Sequence, residues 1–574
     1  MNPGSALPAE SWSGKYVQGS RWLQWIALVT LGLAIAAPRL LALGRPVTPD
    51  EHLWLTRSAN YLTALAQGEL AWTYQAEHPG VTTMWAGAAG FLITYPQYLS
   101  NNPGQADPNE FHRYLRKVKD ASPLQLLVAG RFFTVLGHTL ILLASFVYAR
   151  RFLGVLPALV SFLLLAFDPF HTALSRLLHL DCMLSNLLLL SLLAFLHYGE
   201  RRRPWDLIVS AIAAGLGMLT KTPAILMLPV AGILAVYAAW VDQGSQPVKS
   251  FAVLVRSTTP IMAAWAFVAA ITFVILWPAM WVRPIQTLSD MFEGSAAHLS
   301  ASQGVAPTPE DEIAQGTDSE LNPWAFYPIS YMWRSTPIAL AGLAAAGLAF
   351  FRRHSILHSP SNRLLLLGLL LFVLVFTVGM SASGMRFDRY LLPVYAPLDI
   401  IAGLGWWALG LEVGKRWSSG LLRYSPHAIA LLALALQACF TLGAYPYYLA
   451  YYNPLLGGGT GAQKTMPIGW GEGLDQAAQY LNKKPSVGQL EVISYFASGC
   501  FSYYFEGRVR EFPISGELSE DDWRKFIQSD YAVIYISKIQ RNYPQAVLEY
   551  VSHLDPEHTI RINGLEYARI YKLH

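Results

Sequence analysis

Eleven apolar runs constrain this chain more than any other feature. They fall at 22–43, 123–149, 152–170, 179–198, 205–220, 223–240, 258–277, 334–351, 363–380, 390–410 and 423–445, with a shorter one at 81–98. A helix needs roughly 20 such residues to cross the hydrocarbon layer of a bilayer. In lipid every backbone polar group must be satisfied internally, so the first 445 residues are expected to form a polytopic α-helical bundle. Composition agrees, with 53% hydrophobic and 14% charged residues and a positive mean hydropathy. A net charge of +4 over 574 residues gives no reason to expect a nucleic-acid partner. Cys182, Cys439 and Cys500 have neither metal spacing nor the pattern of a disulfide framework. Lys15 and Arg21 precede the first run, which is too long for a typical cleaved signal and is read as a retained anchor.

Basic clusters set the orientation, because Lys and Arg accumulate in short cytoplasmic loops. Arg150-Arg151, Arg201 to Arg203, Lys249 with Arg256, Arg352-Arg353, and Lys415-Arg416 with Arg423 all lie inside if eleven runs cross. Residues 81–98 then stay out of the count. With Gly87, Gly90 and Pro96, that stretch suits a re-entrant or interfacial hairpin. His112 to Lys119 is the one basic segment left outside. The threading expects an extracytoplasmic C-terminus and a cell (inner) membrane location.

From Pro446 the pattern changes. A linker rich in glycine and aromatics, 446–473, leads to alternating helix and strand patterns: helices at 473–483, 518–528 and 543–553, strands at 490–496 and 531–537, and a strand pair at 559–572. About 130 residues suffice for a small α/β domain. The expected division is a transmembrane module, 1–445, and a soluble extracytoplasmic α/β domain, 446–574, with a structural or acceptor-recognition role.

The same threading gathers ionisable residues on the outer face, where charges at membrane edges are costly and usually functional. Asp50 and Glu51 follow the first span. Adjacent helical residues diverge by about 100°, so the two cannot both face one reacting atom. One suits chemistry and the other a partner; an N-cap at Thr48 or Asp50 is compatible with both. Glu77 and His78, Arg176 and Asp181, Lys221, Arg386 and Arg389 join them. Lys221 stands where Pro223 forces a break between helices, leaving backbone groups free beside a cation. Several cations at the membrane edge suit a lipid phosphate, and a nearby carboxylate suits a general base. Together these describe transfer of a group from a lipid-linked phosphate. A polyprenyl-lipid transporter or flippase would place its charges at the midplane and show repeated halves. A cell-envelope scaffold would not need the clustered acids and cations.

The acid pair Asp50-Glu51, Glu77-His78-Pro79 before Trp85, Ser175-Arg176 through Leu180-Asp181, Leu219-Thr220-Lys221-Thr222-Pro223 and Phe387 to Pro393, in that order, resemble the C-type membrane glycosyltransferases of the protein O-mannosyltransferase and aminoarabinose transferase group, family 39. The resemblance spans about 20–445; Asn453 to Gly458 and Gly469-Trp-Gly-Glu-Gly resemble a bacterial subset. It implies an inverting transfer of a sugar from a polyprenyl-phosphate donor to an acceptor on the outer face of the bilayer. Asp50 matches the first-loop catalytic acid, Glu51 its acceptor-side neighbour, and Asp181 the second-loop acid, with Arg176 and Lys221 towards the phosphate. Glu77 matches a glutamate that binds a divalent metal in the aminoarabinose branch, with His78 and His298 as candidate partners. The loop 278–333 is too short for the sugar-fold domain of the mannosyltransferase branch.

Overall fold

The computed structural model describes residues 21–118, 122–242, 251–300, 322–383, 386–416, 424–511, 518–540 and 544–574. Lys249 and Arg423, used above to orient the chain, lie outside them, as does 301–321 of the long loop. Among the described residues eight helices are long and apolar enough to cross a membrane: Arg21–Leu40, Pro123–Leu153, Asp181–Arg201, Thr222–Trp240, Val253–Ile275, Pro360–Ser381, Asp388–Lys415 and Ser425–Gly443. A ninth candidate is the pair Pro323–Arg334 and Pro337–Phe351, bent by 113° at the break. The two remaining apolar runs form the shorter helices Val155–Ala166 and Pro204–Thr220.

Local sequence explains the ends. Ser122 caps Pro123–Leu153 by accepting from the Gln125 N–H, Pro123 occupies the first turn, and Arg150-Arg151 close the last turn before Gly154, where cations favour a helix C-terminus. The segment 81–98 forms one helix, Val81–Thr94, not a hairpin. Its 14 residues extend about 21 Å, short of the roughly 30 Å hydrocarbon layer. Its glycines serve close packing: a Cβ at Gly90 would lie 2.6 Å from the Gly130 nitrogen, and one at Gly87 would lie 2.1 Å from Ser58 Oγ.

The C-terminal unit holds a five-stranded sheet. Strands β1 (Glu491–Ser494), β2 (Arg508–Glu511), β3 (Tyr531–Tyr535), β4 (His558–Ile562) and β5 (Leu565–Lys572) lie in the order β2-β1-β3-β5-β4. β1 runs parallel to β2 and β3, and β5 runs antiparallel to β3 and β4. Every residue of the central β3 is buried. The β4–β5 hairpin turns on Asn563-Gly564, both at positive φ, as two-residue hairpins favour. The charged edge strand β2 is absent from the sequence-level expectation. This unit docks on the bundle near the first span: Tyr504 Oη donates to the Gly44 carbonyl at 2.5 Å, and Arg45 Nε lies 3.7 Å from Asp475 Oδ2.

Candidate active site

At the docked end of the bundle, four segments distant in sequence converge. Asp50 sits in the first turn of Pro49–Gln67. His179 comes from the irregular turn ahead of Asp181–Arg201, and Asp181 opens that helix. Lys221 occupies the break after Pro204–Thr220, in extended conformation. Arg389 lies in the 3-10 turn Asp388–Val394.

These side chains form one network. His179 stands between the acids, with Nε2 3.0 Å from Asp50 Oδ2 and Nδ1 3.4 Å from Asp181 Oδ2. An ionised carboxylate can only accept, so Nε2 carries the proton shared with Asp50. Arg389 also touches both acids, at 3.2 Å to Asp50 and 3.4 Å to Asp181. Lys221 Nζ donates to Asp181 at 2.7 Å and lies 4.0 Å from the centre of the Tyr390 ring. Burial pushes the Asp50 carboxyl up, but Arg389, His179 and Lys221 outweigh it and hold the group well below the usual carboxylate range. The Asp50 side chain keeps 19% of its surface open, against 2% for Asp181. A reactant can reach the first acid more readily than the second.

Other residues hold this arrangement. Arg334 donates to Asp388 at 2.7 Å and stacks on Tyr452, fixing the turn that carries Arg389. The segment bearing Glu77 and His78 is stitched to the Lys221 break: Gly80 N–H donates to the Thr220 carbonyl at 3.1 Å, Thr82 and Thr220 hydroxyls meet at 2.7 Å, and His78 Nδ1 lies 3.1 Å from Thr222 Oγ1. These contacts place Lys221 in the extended backbone that lets it reach Asp181.

Two of the expected residues are engaged elsewhere. Glu51 is fully buried against Arg131, which donates to both its oxygens. Its carboxylate also accepts from Thr48 N–H at 3.0 Å and Leu178 N–H at 2.9 Å. It is the inner half of a capping box whose other face is a buried ion pair. Arg176 donates to the carbonyls of Leu41, at 2.6 Å, and Ala42, so it clasps the end of the first span. Arg386 lies three residues before Arg389, with Nε enclosed and without a hydrogen bond among the described residues.

The expected divalent metal would sit at Glu77 with His78 or His298. Among the described residues no three His, Cys, Asp or Glu side chains converge on a point that could hold an ion. Glu77 packs against Gly294, where a Cβ would approach its own Cβ to 2.5 Å. The side chain of His298 lies outside the described residues.

Three contributors went unassigned at the sequence level. Arg131 is a charge inside an apolar run, a signal in itself. His179 lies within a quoted motif, but nothing local says that it bridges two acids. Trp470, from the C-terminal unit, has its ring centre 4.3 Å from the Arg389 guanidinium and meets His179 edge-on at 5.2 Å.

Residues 125–277, which include Arg131, Arg176, His179, Asp181 and Lys221, match the family described as dolichyl-phosphate-mannose-protein mannosyltransferase. No curated protein matches the chain. Among solved structures, ArnT from Cupriavidus metallidurans bound to undecaprenyl phosphate is similar over 96% of this chain and 97% of its own, with 15% identity and a TM-score of 0.50. The Pmt1-Pmt2 protein O-mannosyltransferase complex of S. cerevisiae, bound to its sugar donor, is similar over 48% of this chain and 35% of its own, at 18% identity and a TM-score of 0.36. The likeness to ArnT runs the length of both chains and establishes the fold. The chain is thus a multi-pass membrane protein with the fold of the C-type glycosyltransferases, carrying at 125–277 a segment similar to the dolichyl-phosphate-mannose-protein mannosyltransferases.

Proposed function

We propose that this protein is a glycosyltransferase that moves a sugar from a polyprenyl-phosphate donor to an acceptor at the extracytoplasmic face of the cell membrane, with inversion. The observation that carries the reading is the single network joining Asp50, His179, Asp181, Lys221 and Arg389 at one end of an apolar bundle. The family segment and the fold shared with a protein crystallised on undecaprenyl phosphate support a lipid-phosphate donor.

Asp50, the more open acid, takes the proton of an acceptor hydroxyl or amine as that atom attacks the anomeric carbon. The bond from this carbon to the phosphate oxygen breaks on the opposite side, and the electron pair leaves with the polyprenyl phosphate. Lys221 and Arg389 offset the phosphate charge, with Arg386, three residues before Arg389, as a further candidate cation. In the resting network Arg389 lowers the basicity of Asp50. A phosphate that draws the guanidinium towards itself weakens that hold and restores the base when the donor is bound. Asp181 holds the Lys221 ammonium in place.

The test is incubation of purified protein with a panel of radiolabelled polyprenyl-phosphate sugars. One sugar should be transferred or slowly released to water. Lys221→Ala should weaken donor binding by roughly 10- to 150-fold, the equivalent of about 1.5–3 kcal/mol for a charged hydrogen bond. Wild-type protein inert towards the whole panel would overturn the reading.

A further inference from the structure

The segment Gly469-Trp470-Gly471-Glu472-Gly473 is shaped for presentation. Its three glycines have φ of 92°, 102° and 86°, a region that strains residues with a Cβ. Gly471 passes so close to the bundle that a Cβ would lie 2.2 Å from the Val47 carbonyl oxygen. The loop is fastened from behind. Trp470 N–H donates to Glu472 at 2.5 Å, Gly471 N–H donates to Tyr535 Oη at 2.9 Å, and Tyr535 Oη donates to the Glu472 carbonyl at 3.1 Å. Glu472, 1% exposed, turns back into the C-terminal unit, while Trp470 is delivered to the bundle.

There the indole covers Arg389 at 4.3 Å, Phe387 lies 4.2 Å from the same guanidinium, and Tyr390 lies 5.3 Å from it. A guanidinium stacks through its faces and donates through its edge. Aromatic rings packed around it therefore fix the plane in which its N–H groups point; along that edge a terminal N–H donates to Asp50 at 3.2 Å, and Nε lies 3.4 Å from Asp181 Oδ2. The edge-on contact with His179 ties the same indole to the second group shared by the acids.

We infer that Trp470 is a positioning residue of the transfer: supplied by the C-terminal unit, it sets the plane of the Arg389 guanidinium so that its N–H edge meets the donor phosphate. This rests on the phosphate role proposed for Arg389. It gives the C-terminal unit a part in the reaction and makes donor affinity depend on its docking.

Binding of polyprenyl phosphate without a sugar to the full-length, detergent-solubilised protein tests the inference. Trp470→Ala should lower affinity roughly 3- to 30-fold, and Trp470→Phe, which keeps an aromatic face, should recover most of it. In an Arg389→Lys background Trp470→Ala should add little, because an ammonium has no plane to set. Wild-type affinity in Trp470→Ala would overturn the inference. So would an equal loss in the Arg389→Lys background, the mark of a merely structural role. Wild-type protein that does not bind polyprenyl phosphate would remove the phosphate reading and this inference together. Wild-type binding with an indifferent Trp470→Ala would remove this inference alone.

Discussion

The Nε2 of His179 stands 3.0 Å from Oδ2 of Asp50, while the same ring presents Nδ1 to Asp181 at 3.4 Å. The imidazole thus lies between two carboxylates, hydrogen-bonded to the one 129 residues away in sequence and accepting at Nδ1 from the backbone N–H of Asp181. Its hydrogen bond is one of the forces holding the Asp50 carboxyl down against burial.

That relation predicts a pH effect. Asp50 has a lowered pKa, so the ionised, basic form persists through neutral pH and is lost only as pH falls through the folded value. Removing a donor raises that value, and the acid limb of turnover should move to higher pH in His179→Ala. A profile of kcat against pH in both proteins checks it. A limb that stays in place or moves to lower pH would show that His179 does not stabilise the ionised base.

Glu51 and Arg131 make a different prediction. Both side chains are fully buried, and removing one partner of such a pair leaves a charge in an apolar interior, at roughly 3–5 kcal/mol. Glu51→Gln should therefore lower the unfolding temperature in detergent and the yield of folded protein. Wild-type stability with a selective loss of acceptor affinity would instead return Glu51 to the acceptor side of the site.

Topology is tested separately. If all eleven runs cross, the basic loops predict an outer position for the C-terminal unit, on the face proposed for transfer to the acceptor. A reporter active only in the cytoplasm, fused after His574, should stay silent. Activity from that fusion would invert the face assigned to the site.

Much of the bundle was legible in the sequence because apolar length is a one-dimensional signal. Each of the eleven runs is helical where described, although three form helices shorter than 18 residues. Asp50, Asp181, Lys221 and Arg389 were legible because charge beside an apolar run is costly and therefore conspicuous. Their mutual contacts were not. Arg389 lies 339 residues from Asp50, to which it donates, and only tertiary packing closes that separation. Glu51 shows the converse. Its neighbour Asp50 suggested chemistry, but the helical turn between them sends one acid to the opening and the other to Arg131. The edge strand β2 escaped notice because Arg508, Arg510 and Glu511 break the apolar alternation that marks a strand.

The central claim is that Asp50 is the base. Asp50→Asn is nearly isosteric and removes the proton acceptor, so folding and donor binding should survive. General-base catalysis contributes typically 10²–10⁴-fold, and turnover should fall by about that factor. Single-turnover transfer from a labelled polyprenyl-phosphate sugar, measured for Asp50→Asn and Asp181→Asn beside wild type, is the most direct test. The account predicts intact donor binding and a 10²–10⁴-fold slower transfer step in Asp50→Asn, the range typical of a lost general base. Near wild-type transfer by Asp50→Asn with an inactive Asp181→Asn would contradict it.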